Sequence, residues 1–203
     1  MISLTNNMLN SNPIDYLNTG DLLFCYEGDN DVWYDITFND QRYSPYKRIG
    51  IIVKNPNFTN FKITGLYVLE MKENFSGCKG KAILTAYEDF TKDCKRIDAR
   101  CWANIPSDSL YKFSHIYDDI IAEPYYYCLP NQIGKCLEYL GCSCCKVERS
   151  EKFFWNGELI AYIFLKMKLF KPTKPLAMYT IHDFSEIDNR NLYYNLGKIF
   201  RIV

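Results

Sequence analysis

Long apolar runs, basic clusters, paired histidines and repeats are all missing from this 203-residue chain, and each absence closes off a class of protein. The longest apolar helical stretch, near residues 158 to 170, is interrupted by Lys166 and Lys168. It falls short of the ~20 apolar residues that span a bilayer, so no transmembrane segment is predicted. Met1 to Tyr16 is polar and Asn-rich, without the charged start and apolar core of a secretory leader, which predicts a cytoplasmic chain. Basic residues never cluster beyond Lys47-Arg48 or Lys95-Arg96, and 24 Lys plus Arg balance 24 Asp plus Glu. Phosphate-driven binding calls for a basic domain or stripe, so nucleic acid is not an expected partner. The two histidines, His115 and His182, are single and far apart. The nine cysteines include a dense run, Cys136, Cys142, Cys144 and Cys145, but not two paired knuckles of the kind that hold structural zinc. No metal or cofactor is expected. An odd cysteine count without a leader predicts reduced thiols, with late oxidation of some pairs if the protein ends in a virus particle.

What is present points to a folded protein. A hydrophobic content of 48% with 16% aromatics argues against disorder, and the length suits one domain with a core of its own. Residues 1–17 read as an N-terminal arm and 18–203 as a single α+β domain. Residues 20–105 are rich in β-branched and aromatic runs punctuated by turns, with a short helical turn at Tyr87 to Phe90 and a strand around Cys94 to Ala103. Residues 108–122 and Gln132 to Leu140 have helical character. The Tyr125-Tyr126-Tyr127 run is read as packing at a sheet edge, with a partner interface as the alternative.

The segment Phe153-Phe154-Trp155-Asn156-Gly157-Glu158-Leu159-Ile160-Ala161 carries the most information. From Glu158 onward, Leu159, Ile160, Ile163, Phe164 and Met167 recur at helical spacing and predict one buried stripe. Asn156 and Gly157 stand where an N-cap belongs. A helix N-terminus stabilises a thiolate, which makes this a favoured place for a reactive cysteine, but Asn156 has no ionisable nucleophile.

With Gly20-Asp21 before an apolar strand, Arg48-Ile49-Gly50 opening a second, and Glu70 closing a third before Gly77 and Gly80, this segment resembles the circularly permuted papain-like amidases of the NlpC superfamily, which has bacterial, poxvirus and giant-virus members. Pro175 and Tyr179 to Phe184 resemble that family's closing element. The resemblance implies an antiparallel sheet packed against a nucleophile-type helix, with an elaboration at about 105–150. It also implies that Arg48 fills the histidine slot, Glu70 the third slot and Asn156 the cysteine slot. Arginine is too basic to be a general base near neutral pH, and Asn156 cannot attack a carbonyl. The implied protein is a catalytically inactive papain-like domain, a binding or structural component of the host cytoplasm or of a large DNA virus particle. Arg48, Glu70, Trp155 and Asn156 would line the former active-site groove for a protein, peptide or lipid ligand.

Other readings of the same residues stay open. Arg48 can be a solvated residue at the start of a strand, Glu70 the exposed member of an alternating strand, and Asn156 a helix cap only. An active cysteine amidase, peptidase or esterase with a displaced nucleophile, at Cys142, Cys144 or Cys145, is the alternative function. The inactive-site reading predicts that Arg48, Glu70 and Asn156 converge in one cleft, with Asn156 at a helix start.

Overall fold

Strands buried on both sides form the centre of the molecule. The computed structural model describes residues 13–28, 45–57, 62–72, 80–122, 126–127, 156–186 and 189–202. In it β1 (Leu22–Tyr26), β2 (Arg48–Lys54) and β3 (Leu66–Lys72) are buried along most of their length. They are joined by β4 (Gly80–Ala86), β5 (Arg96–Arg100) and two two-residue strands, β6 (Tyr126–Tyr127) and β7 (Phe200–Arg201). The order across the sheet is β6-β4-β3-β2-β1-β5-β7, and every neighbouring pair is antiparallel. The fold is therefore α+β around an antiparallel sheet. Tyr126 and Tyr127 lie in its edge strand β6, the position read for them from the sequence.

Strand direction imposes one long crossing. β1 to β4 are neighbours in chain order, but β5 pairs with the far side of β1. Counting antiparallel partners, β4 and β5 point the same way, so their connection crosses β3, β2 and β1. At ~4.8 Å per strand this is a span of about 19 Å. Residues 87–95 cover it, beginning with the short helix α1 (Tyr87–Thr91).

Alternation along the strands divides the apolar side chains between two faces. On the first, Leu22, Phe24, Ile49, Ile51, Val53 and Leu69 meet the helices. These are α2 (Ser107–Ala122), which contributes Phe113, Tyr117 and Ile120, and α3 (Asn156–Lys166), which contributes Leu159, Ile160, Ile163 and Phe164 at the predicted helical spacing. Phe164 lies 5.1 Å from the Trp102 ring and 5.8 Å from that of Phe184, on the small helix α4 (Ile181–Ser185). Arg100 is buried beneath α4, donating to the Phe184 carbonyl at 2.8 Å and to the Gly197 carbonyl at 2.8 Å. This places a cation where the dipole of a helix C-terminus favours it. Among the described residues the second face has the smaller cover. Leu23, Cys25, Ile52, Val68, Ile97 and Ala99 are covered by Tyr87 and Phe90 of the crossing segment and by Leu17. Leu17 is fully buried, so the end of the predicted arm is part of the core.

Helix α3 starts where the sequence placed it, but Asn156 is not its cap. Asn156 is the first helical residue, and its buried Oδ1 has no hydrogen-bond partner among the described residues. The next residue explains the close fit of the helix start: a Cβ at position 157 would collide with the Tyr179 and Thr180 backbone. Neither neighbour is a flexible side chain that can step aside. Gly157→Ala is expected to destabilise the fold by about 1–3 kcal/mol, the usual cost of overpacking. Urea unfolding should show this as a lower midpoint at unchanged slope.

Candidate functional site

A row of four side chains runs across the second face: Cys25 on β1, Arg48 on β2, Glu70 on β3 and Thr85 on β4. The strand register makes Cys25 the direct partner of Arg48 and Val68 the partner of Thr85, so all four project to the side of Val68 and Ile52. Glu70 is 1% exposed, and burial of a carboxylate demands a cation and hydrogen-bond donors. Both are supplied. Arg48 Nη2 donates to Oε1 at 2.9 Å and to Oε2 at 2.7 Å, Nε donates to Oε2 at 3.1 Å, and the Thr85 hydroxyl donates to Oε1 at 2.7 Å. The forked geometry is the strong form of an arginine–carboxylate contact.

Arg48 has further contacts on the crossing segment. Its Nη1 donates to the Phe90 carbonyl at 3.2 Å, and its guanidinium carbon lies 4.4 Å from the Phe90 ring centroid. Its side chain remains 22% exposed, with Glu27 at 4.0 Å on the outer side. Next to this network an open depression of about 430 Å³ is lined by Lys72, Ile83, Thr85, Asp89, Lys92 and Asp93, among others. Thr85 belongs to both. The row is closed at its other end by a disulfide between Cys25 and Cys94, whose Cα atoms are 5.4 Å apart. Uniformly reduced thiols, the expectation from the odd cysteine count, are corrected for this pair. Crossing the sheet face brings together two cysteines separated by 69 residues.

The three slots named from the sequence fall on two faces. Arg48 and Glu70 pair on the second face, under the crossing segment, which replaces the readings of Arg48 as a solvated strand-start residue and of Glu70 as an exposed one. Asn156 begins α3, whose apolar stripe packs on the first face. The sheet therefore lies between Asn156 and the ion pair, and the three do not share a cleft. Trp155 and the cysteine run from Cys136 to Cys145 lie outside the described residues.

Two further polar clusters are built into the sheet and were not singled out as sites in the sequence. Asp98 of β5 is buried, accepting from the Tyr46 hydroxyl at 2.5 Å and pairing with Arg96 at 3.0 Å. Burial and this carboxylate push the Tyr46 hydroxyl up to about 12. Asp21, from the Gly20-Asp21 motif, accepts from the backbone N–H groups of Asn18 at 2.8 Å and Trp102 at 3.0 Å. Burial nevertheless pushes its carboxyl above the usual range. The Cys101 thiol, hydrogen-bonded to Asp21, is pushed far up, first by burial and then by that neighbouring carboxylate. Among the described residues no group of three His, Cys, Asp or Glu side chains is arranged to hold a metal, and no helix is long and apolar enough to cross a membrane.

Comparison with protein-family models, with curated proteins and with solved structures gives no match.

Removing one member of the ion pair should cost more than removing both. Breaking a buried pair typically costs ~3–5 kcal/mol. The solvated edge of Arg48 reduces the expectation for Arg48→Met to about 2–3 kcal/mol. Arg48→Met combined with Glu70→Leu should recover most of that loss, because no buried charge is then left unpaired. Urea unfolding of the two single variants and the double variant measures the coupling directly.

Proposed function

We propose that this chain is a non-catalytic binding or structural protein whose partner surface is the sheet face holding Arg48 and Glu70. The observation that carries this reading is the saturation of Glu70. A carboxylate that orients a catalytic base must leave an oxygen for that base. Both Glu70 oxygens here are held by Arg48, and one also accepts from Thr85. The thiol chemistry of the described residues points the same way. Cys25 and Cys94 are bonded to each other, and Cys101 is held protonated, the opposite of what a nucleophile needs.

The partner class follows from the adjoining depression. Lys72 and Lys92 stand among Asp89 and Asp93 at its rim, a mixed-charge lining suited to a polypeptide and poorly suited to lipid chains. A place among the permuted papain-like proteins, and with it a role in a virus particle, is a proposal resting on the order of the sequence motifs. The separation of Asn156 from Arg48 and Glu70 counts against an inherited groove as the binding site.

Profiling cysteine reactivity on the full chain tests the absence of catalysis. With a limiting iodoacetamide probe and peptide mass spectrometry, Cys101 should label far more slowly than an unstructured thiol at pH 8. No other cysteine should exceed that reference. A single hyper-reactive cysteine at Cys142, Cys144 or Cys145, with a labelling profile that titrates near neutral pH, would establish the displaced-nucleophile hydrolase instead. For the partner surface, a photo-crosslinking residue at Lys92 should capture a polypeptide where one at Tyr111, exposed on α2, does not. Capture from position 111 alone would move the surface to the other face.

A further inference from the structure

The nine residues between β4 and β5 form a strap over the second face, and its attachments differ in kind. Tyr87 and Phe90 pack into the second core, and the Phe90 carbonyl and ring hold Arg48. Cys94, at the far end, is covalently bound to Cys25 on β1. The helical part contributes little order of its own: α1 has five residues and no side-chain bond at its N-cap, well below the length at which a helix persists alone. Both ends are held independently of the disulfide. β4 pairs with β3 and β6, while β5 pairs with β1 and β7 and the Lys95 N–H donates to the Tyr26 carbonyl at 2.8 Å. The sheet pairing at either end of the strap therefore does not rest on the sulfur bond.

The two sulfurs are not equally reachable. Cys25 is fully buried, whereas Cys94 is only half-buried at the edge of the cover. Cys94 is the more exposed residue of the pair and so the one assigned as the point of attack, since thiol–disulfide exchange depends on which sulfur is open.

We propose that Cys25–Cys94 is a redox latch: reduction by a protein or small-molecule dithiol releases the strap from β1 and opens the cover over the Arg48–Glu70 pair. In the first step the dithiol's thiolate attacks Cys94 Sγ. A mixed disulfide forms, the Cys25–Cys94 bond breaks, and its electron pair goes to Cys25 Sγ, which takes up a proton. The reductant's second thiolate then closes its own disulfide and releases Cys94, which is protonated in turn. The protein gains two electrons and two protons, and the dithiol is oxidised to a disulfide. Cys25 is then a free thiol among Leu23, Ile52 and Ile97, with Arg48 as its direct partner across β1 and β2. Phe90 loses the tether four residues downstream, and with it the restraint that keeps its carbonyl and ring on Arg48. This latch stands on the strap's geometry alone and does not depend on the binding role proposed above.

Amide hydrogen exchange on the full chain, before and after dithiothreitol, tests it. Protein prepared without reductant should yield a Cys25–Cys94 linked peptide. On reduction, exchange in residues 87–94 should rise at least about tenfold, while β2 and β3 stay protected, the pattern of a local opening. Cys25→Ser with Cys94→Ser should show the open pattern without reductant, which isolates this bond from the other cysteines. If that variant does not fold, the wild-type comparison still decides. The latch is overturned if both thiols are free in protein prepared without reductant, or if strap exchange is unchanged by reduction. It is equally overturned if all strands lose protection together, since the bond is then a staple for the whole fold.

Discussion

One buried carboxylate organises an entire face of this protein. Glu70 lies in the third strand of a sheet with almost no access to water, a placement tolerated only with a cation and donors in fixed positions. The neighbouring strands provide them as Arg48 and Thr85. The guanidinium has more N–H groups than the carboxylate can accept, and one of the remainder goes to a carbonyl of the segment crossing overhead. The chain of demands runs sideways across the sheet, and it positions the cover as well as the charge. Apolar burial alone is non-directional and would not fix where Phe90 sits along β2.

The two faces are held by different physics. The first carries α2, α3 and α4 and a run of edge-to-face aromatic contacts from Trp102 through Phe164 to Phe184, so its order comes from packing. Even its buried arginine, Arg100, serves that packing by binding the last carbonyls of α4. Among the described residues the second has a smaller apolar cluster, with a fork-shaped ion pair and a covalent bond beside it. Polar groups and an open depression lie side by side on the second face.

Much of the fold was legible in the sequence. The apolar runs at Leu22, Ile49 and Leu66, the helical turn at Tyr87, the helix from about residue 108 and the stripe from Leu159 all became the elements they announced. The faces were not legible. β1 and β2 are buried on both sides, so their sequences show no polar alternation and parity cannot be assigned to Arg48 from the pattern. Without parity, Arg48 and Glu70 could be set beside Asn156 on paper while the sheet separates them in space. The Cys25–Cys94 bond was hidden for a related reason, since nothing local in either segment announces that β5 returns to the far side of β1. Asn156 was read as a cap because its residue type suits that role. Its buried Oδ1 makes no capping bond, and Gly157 beside it packs closely on the Tyr179 and Thr180 backbone.

The path of the strap also orders events in time. Strands β1 to β4 form a meander in which each pairs with its sequence neighbour, whereas β5 docks on β1 only after the chain has passed over three strands. Contacts of that kind have to bear loop-closure entropy before any stabilisation is returned, and they form late. Until then β1 presents an open row of backbone donors and acceptors along an apolar strand, the type of edge on which other chains add. In the folded chain β5 covers that edge, so a strand buried on both faces is also paired on both sides.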